Sequence, residues 1–174
     1  MKRSDAEKTL KAQHLAGRDL FNKGDIAKLF FNETRKSIDE SLMRFVKSGL
    51  LKRVCRGLYL KTLPTQMDSH ILESIAKKLR SGEYNYTSLE TLLSEYSVIS
   101  QIPIDRLTVM TTGRCGIYHT DYGTIEFTHT KRDARNILQN TRSVKDRPLR
   151  MATKAAAIRD LKRVGRNTHL LLED

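Results

Sequence analysis

The chain has no tryptophan and few aromatic residues, 6% in all, so its cores should be small and aliphatic. It has only two cysteines, Cys55 and Cys115. They lie far apart and match no zinc-binding spacing, which argues against a disulfide framework or a Cys-based metal site and favours a reducing, cytoplasmic setting. No apolar run approaches the roughly 20 residues that span a bilayer, so no membrane segment is expected. Met1–Leu15 is charged and lacks a continuous apolar stretch, so no signal peptide is expected. Catalytic signatures are also missing. There is no Gly-x-Ser-x-Gly, no Lys-Ser/Thr ending to a phosphate loop, and no Asp-x-Asp pair to hold magnesium. These absences predict a protein that is not an enzyme and needs no cofactor.

What is present is positive charge, unevenly placed. The 174 residues carry a net charge of +12. Residues 1–66 hold 15 Lys+Arg against 7 Asp+Glu, a balance of +8. Residues 67–130 hold 5 against 8, or −3, and residues 131–174 hold 12 against 5, or +7. Basic ends around an acidic middle favour a polyanionic partner, and nucleic acid over membrane in the absence of a lipid-anchor motif. The competing reading is a merely soluble basic surface. The length allows one large domain or two small ones, and 39% hydrophobic residues suffice for packed cores.

The N-terminal third reads as helix, short helix, turn, helix and basic hairpin. Ser4–Ala16 forms the first helix, stopped at Gly17, and Asp25 caps a short second helix over Ile26–Phe30. A third helix has two candidate starts, an earlier one capped by Thr34 or Asn32 and a later one where Ser37 and Glu40 form a capping-box pattern. The earlier is preferred because Ile38, Leu42, Phe45 and Val46 then form one inward stripe that Arg35–Ser37 extend backwards. Its other face carries Arg35, Lys36, Arg44 and Lys47. Gly49 closes it, Leu50-Leu51 opens a strand, and Leu58-Tyr59-Leu60 returns, with Lys52, Arg53 and Arg56 grouped at the tip and Gly57 in the turn. This order is that of a winged helix-turn-helix. In that arrangement the start of the third helix meets base edges and the hairpin lies on phosphates. The expected DNA-binding residues are Thr34, Arg35, Lys36, Ser37, Arg44, Lys52, Arg53 and Arg56. An ordinary solvated helix face is the alternative for the helical members.

Leu63-Pro64-Thr65 reads as a linker, giving domains over 1–63 and 67–174. In the second, Asp68 or Ser69 caps a helix to Leu79, and Thr87 or Ser88 caps another, Leu89–Tyr96. From Arg106 the pattern alternates with period two, predicting strands over Leu107–Thr111, Ile117–Thr120 and Thr124–Thr130 as an antiparallel meander. Gly113-Arg114-Cys115-Gly116 reads as a hairpin turn. Arg132–Gln139 is a short helix, and Pro148 opens a last helix to Val164 with a basic side of Arg150, Lys154, Arg159, Lys162 and Arg163. Leu170-Leu171-Leu172 reads as a docked strand or helix end. His119, His129 and Cys115 have no metal-ligand spacing, so no metal is expected. Glu90, Glu95 and Glu126 read as solvated faces. The fold class is therefore α+β, a winged helix-turn-helix followed by a small mixed α/β domain with a β-meander.

An ordered set of short motifs points further. It comprises Asp25-Ile26-Ala27, Leu42 through Gly49-Leu50, Arg56-Gly57-Leu58-Tyr59, Tyr86-x-Ser88-Leu89-Glu90 and Thr111-Thr112-Gly113-Arg114. Gly123-Thr124-Ile125-Glu126-Phe127 to Lys131-Arg132 and Ala152-Thr153-Lys154-x-x-Ala157-x-x-Asp160-Leu161 complete it. The set, spanning about Phe21 to Val164, resembles the AbiEi antitoxins of type IV toxin–antitoxin systems. The resemblance implies an N-terminal winged helix that binds double-stranded DNA at the operon's own promoter and represses it. It also implies a C-terminal domain that counteracts a nucleotidyltransferase-like toxin, functionally rather than through a stable complex. A stand-alone winged-helix transcriptional regulator is the alternative.

Overall fold

The computed structural model describes residues 2–61, 70–100 and 104–171. The chain is mixed α+β and divides into two units, Met1–Met67 and Asp68–Asp174. The expected linker at Leu63-Pro64-Thr65 and the caps at Asp68 or Ser69 lie outside the described residues.

In the N-terminal unit, α1 (Arg3–Leu15) buries Ala6 and Leu10, four residues apart on one face, and the chain turns away at Gly17 with φ +73°. Leu20–Asn22 forms a short strand, β1, in a stretch to which the sequence assigns no element. Asn22 then caps α2 (Lys23–Leu29). Its side chain accepts from the Asp25 amide at 2.8 Å, and the Asp25 carboxylate accepts from the Asn22 amide at 2.7 Å. Asp25 is thus the closing half of a capping box rather than the cap itself. Helix α3 (Arg35–Lys47) starts after Thr34, whose hydroxyl accepts from the Ser37 amide at 3.2 Å. It buries Ile38, Ser41, Leu42 and Phe45 and ends before Gly49, at φ +73°. Strands β2 (Leu51–Cys55) and β3 (Leu58–Lys61) form a hairpin, and β1 pairs antiparallel with β3, giving the order β1-β3-β2. Ala6, Leu10, Phe21, Ile26, Ile38, Leu42, Phe45, Leu51 and Tyr59 form one core, so all three helices and all three strands share it.

The C-terminal unit is built on a six-stranded sheet. Its strands are β4 (Asn85–Thr87), β5 (Arg106–Thr111), β6 (Gly116–Thr120), β7 (Gly123–His129), β8 (Thr141–Arg142) and β9 (Arg150–Ala152). They lie in the order β6-β7-β5-β4-β9-β8. The pairings alternate along that order: β6 with β7, β5 with β4 and β9 with β8 are antiparallel, while β7 with β5 and β4 with β9 are parallel. The expected meander is corrected accordingly. Strands β6 and β7 do form an antiparallel hairpin, but β5 joins β7 in parallel and does not pair with β6. Residues 112–115 therefore carry the chain across to the edge strand instead of making a hairpin turn.

Among the described residues four α-helices complete the unit: α4 (Ile71–Leu79), α5 (Leu89–Glu95), α6 (Ala134–Gln139) and α7 (Lys154–Val164). The last helix does not begin at Pro148. Arg150–Ala152 is strand, and Thr153 caps α7 through the Ala156 amide. Helices α5 and α7 pack together over a core that includes Tyr86, Leu89, Leu92, Leu93, Met110, Ala156, Ala157 and Leu161. After α7 a single tight turn, Thr168–Leu170, leads Leu171 into a bridge with Ile99.

One buried group in this sheet stands apart. The hydroxyl of Thr87, on the inner strand β4, has no hydrogen-bond partner among the described residues. A buried hydroxyl that gives up water without a protein partner costs about 1–3 kcal/mol. Valine has nearly the same shape and suits a strand. Thr87→Val is accordingly expected to raise the denaturation midpoint, by about 1 kcal/mol of stability, in a urea titration followed by circular dichroism.

Candidate nucleic-acid interface

The expected DNA-contacting residues all fall in the N-terminal unit, on two adjacent stretches of chain. Arg35 and Lys36 occupy the first turn of α3 and are exposed, as are Arg44 and Lys47 in its last turn. Asp39, on the same helix, forms an ion pair with Lys23 at 2.6 Å, which ties the start of α2 to α3 and neutralises that carboxylate. Arg44 donates to the hydroxyl of the buried Ser41 at 3.0 Å, so its guanidinium is held along the helix.

Thr34 and Ser37 stand differently. The Thr34 hydroxyl is spent on capping, and the half-buried Ser37 hydroxyl donates to the Glu33 carboxylate. Both side chains hold the helix start in place, which orients Arg35 and Lys36 between them.

In the hairpin, Arg56 and Gly57 form the turn between β2 and β3, with Gly57 at φ +81°. Such a φ suits a residue without a Cβ. Arg53 and Arg56 are exposed. Arg53 pairs across from Tyr59, just before a register shift that ends at Cys55 opposite Leu58. A bulge of this kind sharpens strand twist and re-aims side chains near a tip. Lys52 is not at the tip: it is half-buried and lies opposite Leu60, further down the ladder. Burial pushes the Cys55 thiol above its ordinary pKa, against the opposing pull of Arg53, so the thiolate that redox chemistry needs is disfavoured.

The C-terminal unit holds what sequence reading missed. Glu90 and Glu126 are not solvated but buried, and both are bound by Arg166. Asn167 adds a bond to Glu90 at 2.8 Å, and Arg106 pairs with Glu126 at 2.9 Å. Glu95 is partly exposed, yet it shares Arg147 with the buried Glu73, whose carboxylate also accepts from the Leu149 amide. Burial alone would favour a neutral Arg147, but its bonds to Glu95 and Glu73 outweigh that and raise its pKa.

Asp160, fully buried on α7, accepts from the Ser88 hydroxyl at 2.9 Å and the Tyr86 hydroxyl at 3.2 Å, and pairs with Arg132. Burial, reinforced by the Asp160 charge, pushes the Tyr86 phenol up to about 12. For Asp160 the sequence does carry a signal, an acid within the apolar stripe of α7 that includes Ala156, Ala157 and Leu161.

Arg80 lies over the rings of Phe127 and Tyr118, with its guanidinium carbon 4.5 and 5.2 Å from their centroids. It donates to the Arg114 carbonyl and the Tyr118 hydroxyl, which fastens the 112–115 crossing. His129 donates its amide to the Cys115 sulfur at 3.2 Å and places Nδ1 2.8 Å from the Gly113 carbonyl. His119 instead sits beside Thr124. Among the described residues no three His, Cys, Asp or Glu side chains converge as a metal site would require, and no helix is long and apolar enough to cross a membrane. Neither the protein-family models nor the curated proteins compared with this chain gave a match.

Proposed function

We propose that the N-terminal unit is a winged helix that reads double-stranded DNA. In this reading α3 is the recognition helix and the β2–β3 hairpin the wing. The observation that carries it is the run of exposed cations on α3, with Arg53 and Arg56 exposed on the hairpin that directly follows. A helix about 10–12 Å across fits the major groove, and an arginine-tipped hairpin supplies phosphate or minor-groove contacts. With the AbiEi-like motif order, this makes the chain a cytoplasmic antitoxin. It represses its own operon through the winged helix, and the C-terminal unit counteracts a nucleotidyltransferase-like toxin.

Gel-shift titration on DNA upstream of the protein's own gene tests the first half. Binding at low salt that weakens steeply as salt rises is expected; no binding at low salt refutes it. Arg56→Ala should weaken binding to all sequences alike and reduce the slope of log K against log salt by about one. Co-expression with the adjacent gene tests the second half. The antitoxin reading fails if that gene is harmless alone, or equally harmful with this protein present. A harmless neighbour combined with promoter binding leaves a stand-alone regulator.

A further inference from the structure

The exposed face of α3 carries a pattern that cationic attraction to DNA does not account for. At 100° per residue, Lys36, Glu40, Met43 and Lys47 fall within an arc of about 60° and form its outermost ridge. All four are exposed, Met43 at 75%. An acid and a bare thioether therefore occupy the middle of the ridge, with a lysine at each end.

The side chain of Glu40 stands without a partner. Lys36 and Arg44 stand four residues before and after it, the spacing at which helical ion pairs form. Yet the Glu40 side chain makes no hydrogen bond or ion pair among the described residues, and Arg44 donates to Ser41. The neighbouring Asp39 is paired with Lys23. The ridge thus keeps one uncompensated carboxylate, which repels phosphate and opposes binding to DNA in general. Such a charge is tolerable on a DNA-facing helix where a base donor meets it. The major groove offers two such donors, the exocyclic amines of cytosine and adenine, and cytosine is the usual partner of Glu. Met43 lies three residues on, about 4.5 Å along the axis, close to the roughly 3.4 Å rise between base pairs. An exposed, flexible apolar side chain at that place matches the one apolar group in the groove, the thymine C5-methyl.

We propose that Glu40 and Met43 determine specificity on α3 in addition to Arg35, Glu40 accepting from a cytosine amine and Met43 packing on the methyl group of a neighbouring thymine. The proposal rests on the DNA-binding reading above and assigns the base classes it selects.

The test is selection of duplexes from a randomised pool by the full chain, followed by titration of the selected site. The selected site should hold a cytosine within one or two base steps of a thymine. Replacing that thymine by deoxyuridine, which removes only the methyl, should weaken binding about fourfold. Met43→Ala should bind the two duplexes equally. Glu40→Ala should lose about tenfold in preference for the cytosine while binding random DNA more tightly than the wild type. That gain is opposite in sign to the effect of Lys36→Ala, and a folding defect would not produce it. Both side chains are exposed, and thermal melts should match the wild type. If Lys36→Ala weakens binding but Glu40→Ala and Met43→Ala leave the selected sequence unchanged, the pair is not the reader and the DNA-binding reading survives. If no duplex is enriched at any salt, both fall.

Discussion

Asp160→Ala is expected to destabilise the C-terminal unit by about 3–5 kcal/mol, enough to unfold it at a temperature where the wild type is intact. The carboxylate is fully buried and binds Arg132, Tyr86 and Ser88 at once. Removing it strands the guanidinium of Arg132, a group with only 15% of its side chain exposed, beside two hydroxyls that lose their acceptor. The loss exceeds the worth of the ion pair itself, because an unpaired buried charge keeps its whole desolvation cost. Asp160→Asn should cost less, since it retains an acceptor for the hydroxyls. Differential scanning calorimetry of the two variants checks the ranking, and equal melting temperatures for wild type and Asp160→Ala overturn it.

The same cluster gives stability an alkaline limit. Tyr86 titrates at about 12 when folded and near the ordinary tyrosine value of about 10 when unfolded. Its folded pKa is raised, so its contribution is fully present below about pH 10 and fades as pH rises toward 12. Urea midpoints of the wild type should therefore fall across that window. Tyr86→Phe should flatten the fall, at the cost of the 3.2 Å bond to Asp160.

The second large effect concerns DNA. Arg35→Ala should weaken binding at the selected site by about tenfold or more and relax preference at one position. Arg35 is exposed at the first position of α3, where a recognition helix enters the groove, and its guanidinium can grip guanine through two bonds. Titration of single-base variants of the site would reveal the relaxed position. A uniform loss over all sequences would instead make Arg35 a phosphate contact.

The N-terminal unit was legible in the sequence because its elements are long or locally signed. Ile38, Leu42 and Phe45 mark a period of 3.6, Thr34 a cap, and Gly49 and Gly57 the turns. Strand β1 escaped because three residues, Leu20–Asn22, are too few to show a period, and its partner β3 lies nearly forty residues away. Strands β4, β8 and β9 escaped for the same reason, and with them the parallel pairings that tertiary packing decides. Glu90 and Glu126 were misread because an acid's usual place is in water. What pairs with them is Arg166, 76 and 40 residues distant, a relation with no local trace.

The placing of β4 has a consequence for how the protein is made. Its neighbours in the sheet are β5 on one side and β9 on the other, and Thr87 meets Met151 only after more than sixty further residues have been added. A nascent chain that stops short of Arg150 leaves β4 as an open edge. The three-stranded sheet that supports α3 has no such wait, since Lys61 completes its ladder. As the chain leaves the ribosome, the module proposed to find the operator can be complete while the unit proposed to meet the toxin still lacks its final strands.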